Sequence, residues 1–394
     1  MTNQDIIDLG AKHLFQIYAR APLALVRGEG CRVWDGDGKE YLDFFSSTVV
    51  VNLGHCHPNV TRAISEQAKT IVHVSNLHHS LPQAQLAERL CAQSFADRVF
   101  FCNSGAEANE AAIKLARKFG ADFGDGRFEI ITAIGSFHGR TIATITATGQ
   151  EKVRRGFQPL PEGFRYVPYN DVDALSAAIS DRTIAIMLEP MLGEGGVLAP
   201  APSYLEHVRD LCDRRGLVLI LDEVQTGMGR LGRLFGYELS GITPDIMTLG
   251  KGIANGVPLG AMLATERVAQ AFGVGAHGTT FGGNALACAA GIAVFDTLVN
   301  EGVVKNCHAM GEYLRERLRT LQQSLPIIRD IRGHGLLIGI ELAEAGAAIV
   351  DRCRTAGLII NCTADKVLRL SPPLIVSRSD VDRAVTIIEQ ALRT

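Results

Sequence analysis

Five consecutive apolar residues, Leu217-Val218-Leu219-Ile220-Leu221, end abruptly in two carboxylates, Asp222-Glu223. A strand without a polar face has to be covered on both sides, which points to a parallel sheet flanked by helices. The surrounding pattern agrees. From about Pro58 onward, helical segments alternate with short apolar runs, as in a parallel sheet with crossover helices. Strands are expected at residues 99–101, 130–132, 184–188, 217–221, 246–248 and 261–263, with helices at 106–119, 172–179 and 202–215. A Gly- and Thr-rich loop at 273–283 leads into a helical run from near Asn284. Beyond it an α+β remainder is expected, with a helix at 303–322 and strands near 327–328, 336–340 and 367–370. The first 55 residues read as a helical opening and a small β-rich lead-in, punctuated by Gly28, Gly30 and the turn Asp35-Gly36-Asp37-Gly38.

At 394 residues and 47% apolar composition, the chain can bury two packed lobes. Its net charge of −3 offers no electrostatic case for nucleic acid or an anionic membrane. The acidic opening Met1-Thr2-Asn3-Gln4-Asp5 is followed by no long apolar stretch, so a soluble, unexported protein is expected. Nine cysteines scattered from Cys31 to Cys362, with no Cys-x-x-Cys pair, suggest a reducing cytoplasm rather than a disulfide framework or zinc ribbon. His55-Cys56-His57 has no second ligand cluster near it in sequence, and no metal is expected.

In open α/β sheets, ligands collect at the carboxyl ends of the strands. Asp222 stands at one such end, and Gly250-Lys251-Gly252 follows another. Pyridoxal phosphate needs an amine to hold it, an anion beside its pyridine nitrogen and donors around its phosphate. Lys251 and Asp222 supply the first two. The third is offered by Asn103-Ser104-Gly105-Ala106, a strand-to-helix turn whose free N–H groups suit an anion. Spacing alone also admits a solvated strand end, a surface lysine and an ordinary N-cap. Gly227-Met228-Gly229-Arg230-Leu231-Gly232 matches the dinucleotide fingerprint literally. Its glycines open no amphipathic helix, however, and Lys251 and Gly252 occupy the region where a ribose-binding acid is wanted.

Longer segments carry a resemblance over roughly residues 20 to 380. They are Asn103-Ser104-Gly105-Ala106-Glu107-Ala108-Asn109-Glu110, Ser136-Phe137-His138-Gly139-Arg140-Thr141, Glu189-Pro190 through Gly193-Glu194-Gly195-Gly196, Leu221-Asp222-Glu223-Val224-Gln225-Thr226-Gly227, and His277-Gly278-Thr279-Thr280-Phe281-Gly282-Gly283-Asn284. With these the chain resembles the class III pyridoxal-phosphate-dependent aminotransferases of fold type I. The resemblance implies a large α/β domain at 56–283 with a mostly parallel seven-stranded sheet sandwiched by helices. It also implies a smaller α+β domain built from 1–55 and 284–394.

By the same resemblance, Lys251 looks like the Schiff-base lysine, Asp222 the partner of the pyridine nitrogen and Gln225 a donor to the ring hydroxyl. Phe137 would stack on the ring, and Ser104, Gly105 and Ala106 would cup the phosphate. Thr280 would complete that cup from the other subunit of a homodimer. Arg140 looks like the donor-carboxylate ligand, Arg369 the ligand of the α-carboxylate of glutamate or 2-oxoglutarate, and Glu194 a switch covering Arg369. Thr279 joins the substrate-binding set. The implied reaction moves the terminal amine of N-acetylornithine to 2-oxoglutarate, in arginine biosynthesis. Succinylornithine, succinyldiaminopimelate, ornithine and 4-aminobutyrate remain alternative donors, and a cofactor-binding protein without turnover is a rival of another class. Departures from the usual pattern at Thr48, His78, His79, Met191, Leu192 and Ala285 lie near the region expected to shape the substrate end and leave the acyl group of the donor open, with neutral drift or packing as the other reading of each.

Overall fold

The computed structural model describes residues 1–393. Seven strands form one sheet in the spatial order Arg98–Cys102, Gly260–Ala264, Ile246–Leu249, Val218–Asp222, Thr183–Leu188, Glu129–Ala133 and Phe164–Val167. Gly260–Ala264 runs antiparallel to both neighbours, and the other four pairings are parallel. Six strands therefore point the same way.

The apolar run is explained by what lies on each face. Leu219 and Leu221 join a core that includes Leu205, Val208 and Leu211 of helix Tyr204–Arg215. Val218 and Ile220 turn the other way, onto Ala111, Ala112, Leu115 and Ala116 of helix Gly105–Phe123. Because successive side chains alternate between two covered faces, neither set can be polar. Each large aliphatic side chain buried here contributes roughly 2 kcal/mol.

Two smaller sheets flank this layer. Leu25–Glu29, Arg32–Asp35 and Glu40–Asp43 are joined by Leu358–Ile359, which pairs parallel to Glu40–Asp43, so both ends of the chain share one sheet. The other holds Ile328–His334, Leu337–Leu342, Val367–Leu370 and Asn361–Thr363, all antiparallel. Helix Ala285–Asn300, capped by the Asn284 side chain on the Ala287 amide at 2.9 Å, meets helix Val303–Ser324 at a 65° bend. No single helix among the described residues is long and apolar enough to cross a membrane.

All six strands expected in the central block are present. Phe164–Val167 is an addition: this edge strand is largely half-buried and carries Arg165, so it has no continuous apolar run to announce it. Glu40–Asp43, Leu358–Ile359 and Asn361–Thr363 are further additions.

Candidate active site

Parallel strands deliver their carboxyl ends to one rim. Asp222 ends Val218–Asp222, Glu189 follows Thr183–Leu188, Lys251 follows Ile246–Leu249, and Phe137 and His138 lie just past Glu129–Ala133. Helix Gly105–Phe123 starts at the same rim, directly after Arg98–Cys102. Together they line a cleft of about 240 Å³ that includes Gly105, Ala106, Phe137, Arg140, Glu189, Asp222, Gln225 and Lys251.

Asp222 is 3% exposed, a burial that a carboxylate tolerates only with partners. Its Oδ2 accepts from Asn109 Nδ2 at 2.7 Å and lies 2.8 Å from His138 Nδ1, while Oδ1 accepts from the Val224 amide at 3.0 Å. Burial pushes this carboxyl up, but the His138 hydrogen bond and charge, the Val224 amide and Lys251 outweigh it and hold Asp222 below its usual range. Asn109 is fixed in turn, donating to the His138 carbonyl at 2.8 Å and accepting from the Thr248 hydroxyl at 2.6 Å. The neighbouring Glu223 takes no part in the cleft. It is 1% exposed and turns back to accept from the amides of Gly236 and Tyr237 at 2.5 and 2.7 Å.

Lys251 opens a 3₁₀ turn with φ +44°, a left-handed conformation that L-residues adopt at a cost of about 1–2 kcal/mol. Burial pulls its amine below the ordinary lysine value, although Asp222, Glu194 and Glu189 oppose the shift. The preceding Gly250 packs against the start of the helix, where an added Cβ would lie 3.0 Å from the Gly105 amide nitrogen and Cα. Ser104 caps that helix by accepting from the Glu107 amide at 3.2 Å. Phe137 forms one wall, with the Arg140 guanidinium 5.5 Å from its ring centroid and exposed at the mouth.

A second ionic centre adjoins the first. Arg369, 1% exposed, donates from Nη1 to Glu194 Oε1 at 2.6 Å and to Gln225 Oε1 at 3.4 Å, and from Nε to Asn361 Oδ1 at 3.1 Å. Gln225 Nε2 donates to the same Glu194 oxygen at 3.3 Å, so this amide is engaged with the arginine pair. Burial raises the Glu194 carboxyl, but Arg369 and then Lys251 and Gln225 hold it below its usual value.

Lys251, Asp222, Gln225, Phe137, Gly105, Ala106 and Arg140 thus meet in one cleft, with Glu194 and Arg369 joined to it through Gln225. Thr279 and Thr280 line a different hollow of about 1060 Å³, together with His73, Asn76 and His79. Met191 is a core residue packed with Val49, Val197 and Leu337, and Leu192 and Ala285 are also buried. His78 and His79 are exposed. Thr48 sits in a left-handed turn in which Ser46, Ser47, Thr48 and Val49 all have positive φ.

Sequence reasoning singled out neither Asn109, His138 nor Glu189 as a site residue, although each lies in a quoted motif. The only available signal was that buried strand ends with two carboxylates require donors nearby. The cleft fits pyridoxal phosphate: it offers an amine, a buried carboxylate with Oδ1 only singly engaged among the described residues, an aromatic wall, and a helix start too close to Gly250 for any side chain.

The family described as aminotransferase class-III matches residues 16–392. An acetylornithine aminotransferase from Methanothermobacter thermautotrophicus is 49% identical over 388 residues, covering 98% of each chain. Another, from Caldanaerobacter subterraneus, is 50% identical over 383 residues and 97% of each chain. Among solved structures, an ornithine aminotransferase from Toxoplasma gondii, with pyridoxal phosphate at partial occupancy in its active site, superposes with a TM-score of 0.96. It is 33% identical and covers 100% of this chain and 94% of its own. A match of this extent, on a chain whose strand ends already carry the lysine and its facing carboxylate, makes this protein a member of the class-III aminotransferase family.

Proposed function

We propose that this pyridoxal-phosphate-dependent aminotransferase moves the terminal amine of N-acetylornithine to 2-oxoglutarate, giving N-acetylglutamate semialdehyde and glutamate. The observation that carries this reading is identity of about half over nearly the whole length with enzymes named for that donor. Ornithine, succinylornithine, succinyldiaminopimelate and 4-aminobutyrate are the other outcomes that a panel of amine donors would reveal.

When bound, the cofactor supplies an electron sink for the pair left behind as a proton departs from the amine-bearing carbon. Lys251 Nζ would hold it, Asp222 would face its ring nitrogen, Phe137 its ring face, and the Ser104-Gly105-Ala106 turn its phosphate. The depressed Lys251 amine is more readily neutral, which suits Nζ to take up a proton and return it. The buried, hydrogen-bonded Asp222 stays ionised and can keep a facing nitrogen protonated. Arg140, at the mouth, would grip the donor carboxylate through paired hydrogen bonds. Glu194 would cover Arg369 while an ω-amine donor is bound and yield it to the α-carboxylate of 2-oxoglutarate. Thr279 is assigned to the substrate-binding set.

We place the enzyme in a homodimer in which Thr280 of the partner subunit completes the phosphate end. Support comes from the large apolar side chains exposed around that loop: Leu77 at 90%, Phe281 at 62% and the wholly exposed Val274. All nine cysteines are unpaired, in keeping with a cytoplasmic setting. We also assign residues 56–283 to the large domain and 1–55 with 284–394 to the small one. The test is single-turnover spectroscopy of the holoenzyme. N-acetylornithine should abolish the cofactor's visible band and 2-oxoglutarate restore it, and a band that N-acetylornithine leaves unchanged would refute the donor.

A further inference from the structure

Glu189 is the second buried carboxylate of the cleft, 2% exposed, and it has no part in the chemistry described so far. Its two oxygens serve two separate segments. Oε1 accepts from the Phe137 amide at 2.9 Å, and Oε2 accepts from the Gly193 amide at 3.1 Å. The Glu189 backbone is itself fixed, because the Tyr169 hydroxyl donates to its carbonyl at 3.0 Å and to that of Pro190 at 3.1 Å. Phe137 belongs to the cleft wall.

Gly193 opens the tip of a small hairpin in which Leu192 and Leu198 exchange backbone hydrogen bonds of 3.0 and 2.9 Å. That tip carries Glu194, and Arg332 holds its far side through the Gly196 carbonyl at 2.9 Å. Gly193 also packs where an added Cβ would meet Gln225 Oε1 at 2.3 Å. One carboxylate therefore links the wall of the cleft to the hairpin bearing the partner of Arg369.

We propose that Glu189 is a positioning residue that locks the Glu194 hairpin to the Phe137 segment, so that Glu194 stays over Arg369 while the ω-amine donor is bound. This rests on the reading of Glu194 as the cover of Arg369. The chemistry of the link is specific. A carboxylate accepts two N–H donors on two oxygens, whereas a glutamine amide accepts one and turns its own N–H₂ toward the other. Aspartate, shorter by one methylene, cannot span both segments. Burial raises the Glu189 carboxyl, with Asp222 adding to the shift, while His138 and the two amides it accepts from oppose it and favour the ionised form.

Glu189→Gln and Glu189→Asp test the proposal by two readouts. The first is hydrogen–deuterium exchange of the apoprotein. Peptides covering 136–138 and 192–198 should exchange at least tenfold faster, with strand 218–222 unchanged. The second separates the half-reactions of the holoenzyme: the ω-amine donor step should slow at least tenfold while the glutamate step changes less than threefold. Unchanged exchange at 192–198, or equal losses in both half-reactions, overturns the proposal. If wild type ignores N-acetylornithine, the donor assignment fails on its own, and whichever ω-amine does react serves for the comparison. Should the glutamine variant fail to fold, the aspartate variant carries both readouts.

Discussion

Neutralising the cover of Arg369 should shift the enzyme's balance between its two substrates. At 2.6 Å and an effective dielectric of about 20, the Glu194–Arg369 attraction has a ceiling of about 6 kcal/mol. The Glu194 side chain is 28% exposed, so solvent screening and the desolvation of Arg369 reduce the net to roughly 1–3 kcal/mol. In Glu194→Gln, an incoming α-carboxylate no longer has to displace an ion from Arg369. The dissociation constant for glutamate on the cofactor-loaded enzyme should fall by about fivefold or more, since 1.4 kcal/mol is a factor of ten. The ω-amine donor should lose discrimination at the same time, because the exposed guanidinium also attracts its carboxylate in the wrong orientation. Stopped-flow half-reactions with glutamate and with N-acetylornithine measure both effects. Weaker glutamate binding in the variant, with the donor half-reaction intact, would refute a covering role and leave Glu194 as a fixed structural partner.

Gly193→Ala places a Cβ against Gln225 Oε1 and should cost about 1–3 kcal/mol of stability while raising the KM for 2-oxoglutarate; wild-type values for both would contradict the packing. Ile220→Ala, within the fully buried strand, should lower unfolding free energy by about 2–5 kcal/mol in denaturant titration without altering substrate preference. Glu223 should impose a pH dependence of its own. Burial raises its carboxyl to about 7 from 4.5 despite its backbone donors, so between those values the folded state holds more protons and this contribution to stability falls as pH rises. From pH 5 to 8, wild type should lose up to about 3 kcal/mol relative to Glu223→Gln. The difference between the two proteins is what matters, because half-buried His57, His277 and His334, whose values are lowered, push the total the other way. A flat difference would contradict the assignment.

The central sheet was legible because burial on both faces leaves a compositional trace: Val218 to Leu221 can be read as a strand without knowing its neighbours. Phe164–Val167 was not, since an edge strand with one half-open face needs no such run. At the site, Asp222 and Lys251 stood out as charges placed where apolar strands stop. Asn109 and His138 did not, because their role is to satisfy Asp222 across 113 and 84 residues of chain, a pairing that only the parallel register creates. Gln225 was expected to serve the cofactor, and its engagement with both Glu194 and Arg369 comes from the approach of Val367–Leu370 to the rim, which no local pattern encodes. Glu223 illustrates the reverse case: it sits beside Asp222 in sequence, but just past the strand end it turns away to bind Gly236 and Tyr237.

The most direct test is borohydride reduction of the purified, cofactor-loaded protein followed by peptide mass spectrometry. The cofactor's added mass should sit on Lys251 alone, and Lys251→Ala should retain none covalently. Label on another lysine, or a colourless protein that takes up no pyridoxal phosphate, would contradict the assignment of this cleft.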